Sequence, residues 1–437
     1  MRKNLFKKVL ALTLASTMAF SMAGCGSKGG SSDAKNDDGT ITLNVWHQWS
    51  NDTNELKGKY EEAVKAYEKE NTGVKIKTET LDTEAYKTKI NAEFAGDAKG
   101  IDVFYWWGAG TAKKLVDAGK VMALDDYVTD DVKSKILEGS TSAFEFDGKL
   151  YSVPMFSWYM TLFCNKTMFD KAGATLPTTY DELVDAVKKL KKLDGVTPMA
   201  AGAKDGWNAA FVYQALALRE VGATGVNEML SGNKEFGDEG FKKAAQKVSD
   251  LYEMGAVGDN PLEQGNDDAN AAFENGKAAM RLMGSWFANN VYTDDAATIK
   301  PEEVVALKIP TIADGKGEAT DYCGGFVESF WVNNNTKYKE EAAKFCIYIN
   351  EKMGVASYET GSGFSGWTTP ADESNLNPLF IQIKDLLAEG KQGVLAWDTS
   401  LESEPAAVHN EQVQTLFADG ADIDAFIDEH KAAINGK

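Results

Sequence analysis

The chain has 437 residues, with 46 Lys or Arg, 66 Asp or Glu and a formal net charge of −20. Residues 1–24 hold four of the basic residues and no acidic one, so the remainder carries −24. This charge argues against nucleic acid as a partner, because phosphates need Lys and Arg to neutralise them, and against charge-driven adhesion to an anionic membrane. The remaining length is enough for two or three units of domain size.

The N-terminus has the composition of an export signal. Four basic side chains lie in the first eight residues, an apolar run extends from Val9 to Phe20, and Met-Ala-Gly-Cys ends at Cys25. The run is about a dozen residues long, whereas spanning a bilayer takes ~20. We therefore predict a lipoprotein signal peptide over residues 1–24.

Met-Ala-Gly-Cys resembles a bacterial lipobox, which implies a diacylglyceryl group on Cys25 and attachment to the extracytoplasmic face of the cell membrane. A plain cleaved signal with an incidental cysteine is the alternative. Residues 26–39 contain no apolar side chain larger than Ala. Residues 25–39 are thus the predicted lipidated Cys and flexible linker.

The next part of the chain alternates strands and helices with short connections. Apolar patterns predict strands at 41–46, 74–77 and 101–107, and helices at 56–67, 86–94 and 112–118. This alternation is typical of an α/β unit with a parallel sheet.

Beyond residue 153 the predicted helices become longer and more numerous. They cover 179–193, 207–220, 239–254, 267–276 and 337–351, with strands at 303–310 and 331–332 and a mostly helical tail from 380. Cys164 and Cys346 lie in apolar patterns typical of small buried side chains. Because no CxxC pair exists, we predict neither a metal site nor a redox dithiol.

Ten tryptophans are present, and several stand at the ends of predicted elements beside Gly, Ser or Asn. Ligands of open α/β sheets bind at such ends. A flat aromatic ring suits the C–H face of a pyranose, and amides or carboxylates suit its hydroxyl rim. The candidate ligand-binding residues are Trp46, Gln48, Trp106, Trp107, Trp158, Asp205, Trp207, Trp286, Glu328 and Trp367. Trp331 and Trp397 are predicted to be core residues, the usual place for Trp.

Catalytic motifs are scarce in this sequence. The only histidines are His47, His409 and His430, without an HExxH pattern, and no Gly-Lys-Ser/Thr loop occurs. Ser365 lies in Gly-Phe-Ser-Gly-Trp, which fails the G-x-S-x-G pattern. We predict no catalytic residue, no metal and no cofactor, and we interpret His47 as a neutral hydrogen-bonding side chain.

A series of segments carries a family resemblance in order along the chain. They are residues 41–46, 101–104, 115–127, 147–154, 165–173, 177–183, 273–280 and 283–286, the last reading Met-Gly-Ser-Trp. Together they resemble the family 1 extracellular solute-binding proteins, the sugar-binding components of ABC importers. Cys164-Asn165-Lys166 departs from the Tyr-Asn-Lys that is usual in that family.

The resemblance implies an α/β, two-lobed fold like that of periplasmic binding proteins, with ligand clamped in the cleft between lobes. Lobe one is expected at 40–152 plus 311–352, and lobe two at 153–310 plus 353–437. Trp46, Trp107, Trp207, Trp286 and Trp367 fall at positions that resemble cleft positions. The implied partners are an oligosaccharide and the permease subunits of an ABC importer, and we expect a monomer.

Two other function classes remain open on the residues alone. A secreted glycoside-acting enzyme would need two essential carboxylates at hydrolytic spacing. The second class is a binding protein for a peptide or polyamine. A polyamine would need carboxylates among the tryptophans to pair with its cations. Glu328 and Asp205 are available for that role.

Overall fold

The computed structural model describes residues 39–51, 54–293 and 297–436, which belong to one compact unit. The predicted signal peptide, Cys25 and the tether up to residue 38 lie outside the described residues. No helix in the described part combines the length and apolar character needed to cross a membrane.

Strands and helices alternate through the first half of the chain, and helices dominate the second. The strands are β1 (Ile41–His47), β2 (Val74–Thr80), β3 (Val103–Trp107), β4 (Glu145–Phe146), β5 (Lys149–Leu150), β6 (Phe156–Asn165), β7 (Thr197–Ala200), β8 (Ala278–Gly284), β9 (Val304–Leu307), β10 (Asp321–Val332), β11 (Phe364–Ser365) and β12 (Gln392–Val394). The helices are α1 (Glu55–Glu70), α2 (Thr83–Ala95), α3 (Ala109–Asp117), α4 (Asp130–Lys135), α5 (Lys166–Ala172), α6 (Tyr180–Leu190), α7 (Gly206–Leu230), α8 (Glu239–Glu253), α9 (Asn266–Glu274), α10 (Phe287–Thr293), α11 (Lys339–Glu359), α12 (Pro378–Ala388), α13 (Trp397–Ser400), α14 (Ser403–Thr415) and α15 (Ile423–Asn435).

The main sheet has the strand order β2-β1-β3-β10-β6-β8-β7. The β1 strand pairs in parallel with both β2 and β3, as the alternating pattern predicts. On the other side, β6 pairs antiparallel with β8 and β9. The two ends of the sheet thus form separate groups of strands, and among the described strands β10 links them by pairing with β3 and β6.

The β10 strand changes partners part-way along its length. Its residues 328–332 pair antiparallel with β3, and residues 324–328 pair antiparallel with β6. The register shifts between Phe326 and Glu328, which is the geometry of a bulge that bends a strand. This strand lies within predicted lobe one, but half of it pairs with β6 of predicted lobe two.

Helices cover both groups of strands. The α1 helix packs against α11, and α7 packs against α8 and α14. The α6 helix begins with a capping box in which Thr179 and Glu182 each accept a backbone N–H of the other residue. The α7 helix breaks at Gly222, whose φ of 80° is outside the helical range.

Several predicted core residues are buried. Trp331 and Trp397 are 0% and 1% exposed, which confirms both predictions. Cys164, Cys323 and Cys346 are buried free thiols, so the prediction of small buried side chains for Cys164 and Cys346 is also confirmed.

Candidate functional site

Four aromatic residues of the β6 side of the sheet meet at one place. The Trp158 ring stacks on Phe211 with centroids 5.3 Å apart and meets Trp286 edge-on at 5.0 Å. Trp207 contacts Phe211 at 5.3 Å and Trp286 at 6.5 Å. Trp207 and Trp286 are half-buried, whereas Trp158 and Phe211 are buried beneath them. The structure thus brings together three of the predicted site tryptophans.

Local sequence explains where Trp286 lies. A Cβ atom on Gly284 would come within 2.0 Å of the Trp286 ring, so the indole lies directly over the glycine. Between them, the Ser285 hydroxyl accepts the backbone N–H of Tyr159 on β6 at 3.2 Å. The Gly-Ser-Trp sequence therefore turns the chain at the end of β8 and positions the indole beside Trp158.

A buried arginine supports the start of α7, where Trp207 lies. The Arg281 guanidinium donates to Asn208 Oδ1 at 2.7 Å and to the carbonyls of Ala200 and Ala201, both at 3.1 Å. The Asp205 carboxylate accepts the backbone N–H of Asn266 at 2.7 Å. Asp205, a predicted rim residue, thus ties the start of α9 to the start of α7.

Trp107 lies near this group but belongs to the other group of strands, β2-β1-β3. It ends β3, is half-buried, and meets the Tyr105 ring edge-on at 5.2 Å. The Lys87 ammonium on α2 lies 5.1 Å from the Trp107 centroid and 5.9 Å from the Trp207 centroid. We call Trp107, Trp158, Trp207, Phe211 and Trp286 the cleft aromatic group.

Glu328 lies on β10 directly opposite Trp107 in the strand register and is 8% exposed. Burial raises the pKa of its carboxyl to about 7, although the Tyr105 and Trp107 side chains and the Lys87 ammonium act in the opposite direction. Burial and the adjacent Glu328 carboxyl raise the pKa of the Tyr105 hydroxyl. A buried carboxyl group and hydroxyl beside Trp107 are suited to hydrogen bonding with a polar ligand.

His47 ends β1, and Gln48 follows it directly. His47 is 1% exposed, contacts Tyr60 with ring centroids 4.2 Å apart, and accepts the Trp49 N–H through Nδ1. Burial lowers the pKa of His47 to about 3, which confirms that it is a neutral hydrogen-bonding side chain. The Gln48 Oε1 atom is buried without a hydrogen-bond partner.

Three other predicted site tryptophans are buried. Their rings do not contact Trp158, Trp207, Phe211 or Trp286. Trp46 is 8% exposed, and the Lys89 ammonium lies 4.6 Å from its centroid. Trp106 is 4% exposed and contacts the Trp107 ring at 5.5 Å. Trp367 is 4% exposed and donates its indole N–H to Pro154 O at 2.7 Å. A deeply buried indole whose N–H is hydrogen-bonded is typical of a tryptophan packed in the core.

A close contact joins α3 to α13 beside the site. A Cβ atom on Gly110 would lie 2.2 Å from Ser400 O, and the Thr111 hydroxyl donates to the carbonyls of Asp398 and Thr399 at 3.2 and 3.3 Å. Desolvation raises the pKa of Asp398, and the nearby Lys87 ammonium lowers it.

Sequence reasoning missed Lys87 and Asp398. Lys87 is one of two closely spaced lysines on an ordinary amphipathic helix, and no pattern distinguishes it.

A separate cavity of about 510 Å³ lies among residues of the second half of α7 and the β12–α13 segment. Its lining residues are Thr224, Asn227, Glu228, Leu230, Ser231, Gln392, Leu395 and Ser400. Because no aromatic ring lines this cavity, it lacks a stacking surface for a sugar. Within the described ranges, no three His, Cys, Asp or Glu side chains form a group that could hold a metal ion.

Comparison with known proteins places this geometry in context. The family model for bacterial extracellular solute-binding proteins matches residues 50–355. The multiple sugar-binding protein of Streptococcus mutans is 24% identical over 368 residues, which cover 81% of this chain and 80% of that protein.

Two solved structures are similar over most of the chain. One comes from a study of xylan utilization by the thermophilic bacterium Caldanaerobius polysaccharolyticus; it is 35% identical, has a TM-score of 0.86, and the match covers 90% of this chain and 100% of that one. The other is a chitin oligosaccharide binding protein with 21% identity, a TM-score of 0.82 and coverage of 91% and 98%. These similarities confirm the predicted two-lobed α/β fold. The chain belongs to the bacterial extracellular solute-binding proteins.

Proposed function

We propose that this protein captures oligosaccharides in the cleft between its two lobes and delivers them to an ABC importer, without chemistry on the ligand. The cleft aromatic group is the observation that carries the proposal. Rings from both sides of the sheet converge there, and three of them are half-buried. Stacking on such rings suits the C–H faces of successive sugar units, and Glu328 and Gln48 supply polar groups for hydroxyls.

Similarity to sugar-binding relatives supports the same conclusion. The Streptococcus mutans relative is a multiple sugar-binding protein, and the 35% identical structure comes from work on xylan utilization. Neutral oligosaccharides of pyranose units are thus the first class to test.

Closure of the lobes on the ligand is the proposed mechanism. Contacts across the cleft, including Gly110 against Ser400 and Asn289 Nδ2 to Glu55 Oε2 at 3.2 Å, favour the closed form. Ligand that contacts both sides binds this form more tightly and shifts the equilibrium toward it. The importer then binds the closed protein. A diacylglyceryl group on Cys25 would hold the protein, as a monomer, at the membrane that contains the importer.

The test is a titration of the purified protein with xylo-oligosaccharides, chito-oligosaccharides, α-glucans and their monosaccharides, with Trp fluorescence and melting temperature followed together. A ligand that binds only the folded state raises the melting temperature by mass action. We expect one oligosaccharide class to raise it and to be recovered intact. No response to any sugar would contradict the proposal.

The same samples test the enzyme alternative. Release of reducing ends, abolished by replacing one Asp or Glu, would show a glycoside-acting enzyme. Mass spectrometry of the Cys25 peptide from membranes tests the anchor, since a free thiol there would contradict lipidation.

A further inference from the structure

Lys87 places its ammonium between aromatic rings that belong to opposite sides of the cleft. Its Nζ atom lies 5.1 Å from the Trp107 centroid and 5.9 Å from the Trp207 centroid, both within the range of a cation–π contact. The side chain comes from α2, on the β1–β3 side of the sheet, and Trp207 comes from α7 on the other side. The Lys87 ammonium therefore lies over the indole faces that we propose stack on the ligand.

A carboxylate pairs with this ammonium. Glu84, one turn earlier on α2, accepts a hydrogen bond from Lys87 Nζ at 3.1 Å. Burial raises the pKa of Glu328 and of Asp398, and the Lys87 charge acts against that rise. Two indole faces with an adjacent carboxylate are the chemistry that binds an organic cation.

We propose that Lys87 is a specificity-determining residue that excludes cationic ligands by occupying, with its own ammonium, a cation site built from Trp107, Trp207 and Glu84. The inference rests on the proposed function, because it says which oligosaccharides the cleft admits. Neutral sugars displace the Lys87 chain from the rings without separating its charge from Glu84. Polyamines and amino sugars with free ammonium groups meet a like charge at the same place, which disfavours their binding.

A second lysine on the same helix provides a matched control. Lys89 lies 4.6 Å from the Trp46 centroid and forms an ion pair with Glu79. It therefore makes the same kinds of contact as Lys87, but with a buried tryptophan on one side of the cleft only. Residues two apart on a helix point in different directions, so replacing Lys89 leaves Lys87 and its carboxylate in place.

The experiment compares spermidine binding to the purified wild-type protein and to Lys87→Met, Lys87→Gln, Lys87→Arg and Lys89→Met, by calorimetry at pH 7 and low salt. We expect Lys87→Met and Lys87→Gln to bind spermidine at least roughly tenfold more tightly than wild type. Lys87→Arg keeps the cation and should exclude spermidine, and Lys89→Met should match wild type. Raising the salt to about 0.3 M should weaken the gained binding, since screening reduces charge attraction.

The proposal would be overturned by spermidine binding to wild type as tight as that to Lys87→Met, or by an equal gain in Lys89→Met. Absence of any gain in both Lys87→Met and Lys87→Gln, with melting temperatures near wild type, would also overturn it. The spermidine measurement does not need a sugar ligand. Failure of the oligosaccharide titration therefore counts against the proposed function alone, and failure of the spermidine arm against the role of Lys87 alone.

Discussion

Helix α7 contributes residues to two aromatic groups, one partly open at the proposed cleft and one fully buried. Trp207 and Phe211 belong to the cleft aromatic group, whereas Tyr213, two residues further on, belongs to a group we call the core aromatic group. Its members are Tyr213, Phe236, Phe241, Trp397, His409, Phe426 and His430, all buried. Similar rings on one helix thus serve a packed core on one face and a proposed ligand surface on the other.

Hydrogen bonding and exposure show why the two groups differ. In the core aromatic group, His409 contacts Gln214 at 3.0 Å and His430 at 2.9 Å, and His430 Nδ1 lies 2.8 Å from Phe426 O. Two neutral rings satisfy this whole chain if each Nδ1 carries the proton. In the cleft aromatic group, the Trp107, Trp207 and Trp286 rings are only half-buried. Ring faces that remain partly open are what a ligand can cover.

Replacing Trp397 with Ala should give the largest effect. The side chain is 1% exposed and stacks on His409 at 5.0 Å, so its removal leaves a cavity in the core aromatic group. We expect a loss of about 3–5 kcal/mol in the free energy of unfolding, measured by urea denaturation. A loss below about 1 kcal/mol would mean that the site tolerates the cavity.

Acidification should give the second-largest effect, because it destabilises the core aromatic group. Burial lowers the pKa of His430 to about 4 and that of His409 well below its usual value of 6.5. The unfolded chain therefore binds more protons below pH 6.5, so the stabilising contribution is complete above pH 6.5 and is lost as the pH falls toward 4. We expect these two histidines to lower the free energy of unfolding by about 3 kcal/mol between pH 7 and pH 5, while His47 adds to the loss and Glu328 opposes it.

The measurement is urea denaturation at several pH values, with His409→Gln as the comparison variant. That variant should show a weaker pH dependence over the same range. Equal slopes for the two proteins would contradict the assignment of this acid sensitivity to the histidine pair.

Trp207→Ala should affect binding rather than stability. Its ring is half-buried and contacts Phe211 and Trp286 at the edge of the cleft aromatic group. We expect oligosaccharide affinity to fall by about 2 kcal/mol, or roughly thirtyfold, in a fluorescence or calorimetric titration. Trp207→Phe should recover part of the loss. A large drop in melting temperature without a change in affinity would place Trp207 with the core residues.

Glu328→Gln should give the opposite pH sign and, at pH 5, the smallest effect. Burial raises the pKa of Glu328 to about 7 from 4.5, so the folded protein holds a proton that the unfolded chain releases. The stability due to that proton is complete below pH 4.5 and is lost as the pH rises through 7. At pH 5 the variant should be about 1 kcal/mol more stable than wild type, and at pH 8 the difference should rise to about 3 kcal/mol. Thermal denaturation at pH 5 and 8 measures the difference; equal stability at both would contradict it.

Elements with a continuous apolar pattern were predictable. The strand predicted at 41–46 is β1, and the helix predicted at 239–254 is α8 (Glu239–Glu253). The predicted strand at 331–332 is the end of the twelve-residue β10. Its earlier residues include Gly324, Gly325 and Glu328, which are unfavourable in strands, and pairing with β3 and β6 on either side overrides that local preference.

The amino-acid sequence by itself determined the inventory: alternating elements, buried cysteines, core Trp331 and Trp397, and tryptophans beside turns that suit a sugar site. Only the tertiary structure decided which tryptophans meet. Trp107, Trp158, Trp207 and Trp286 converge because β10 joins β3 to β6, and Trp367 packs against Pro154 elsewhere. It also placed Lys87 among them. Such contacts depend on strand order and register between distant segments, which local residue patterns do not specify.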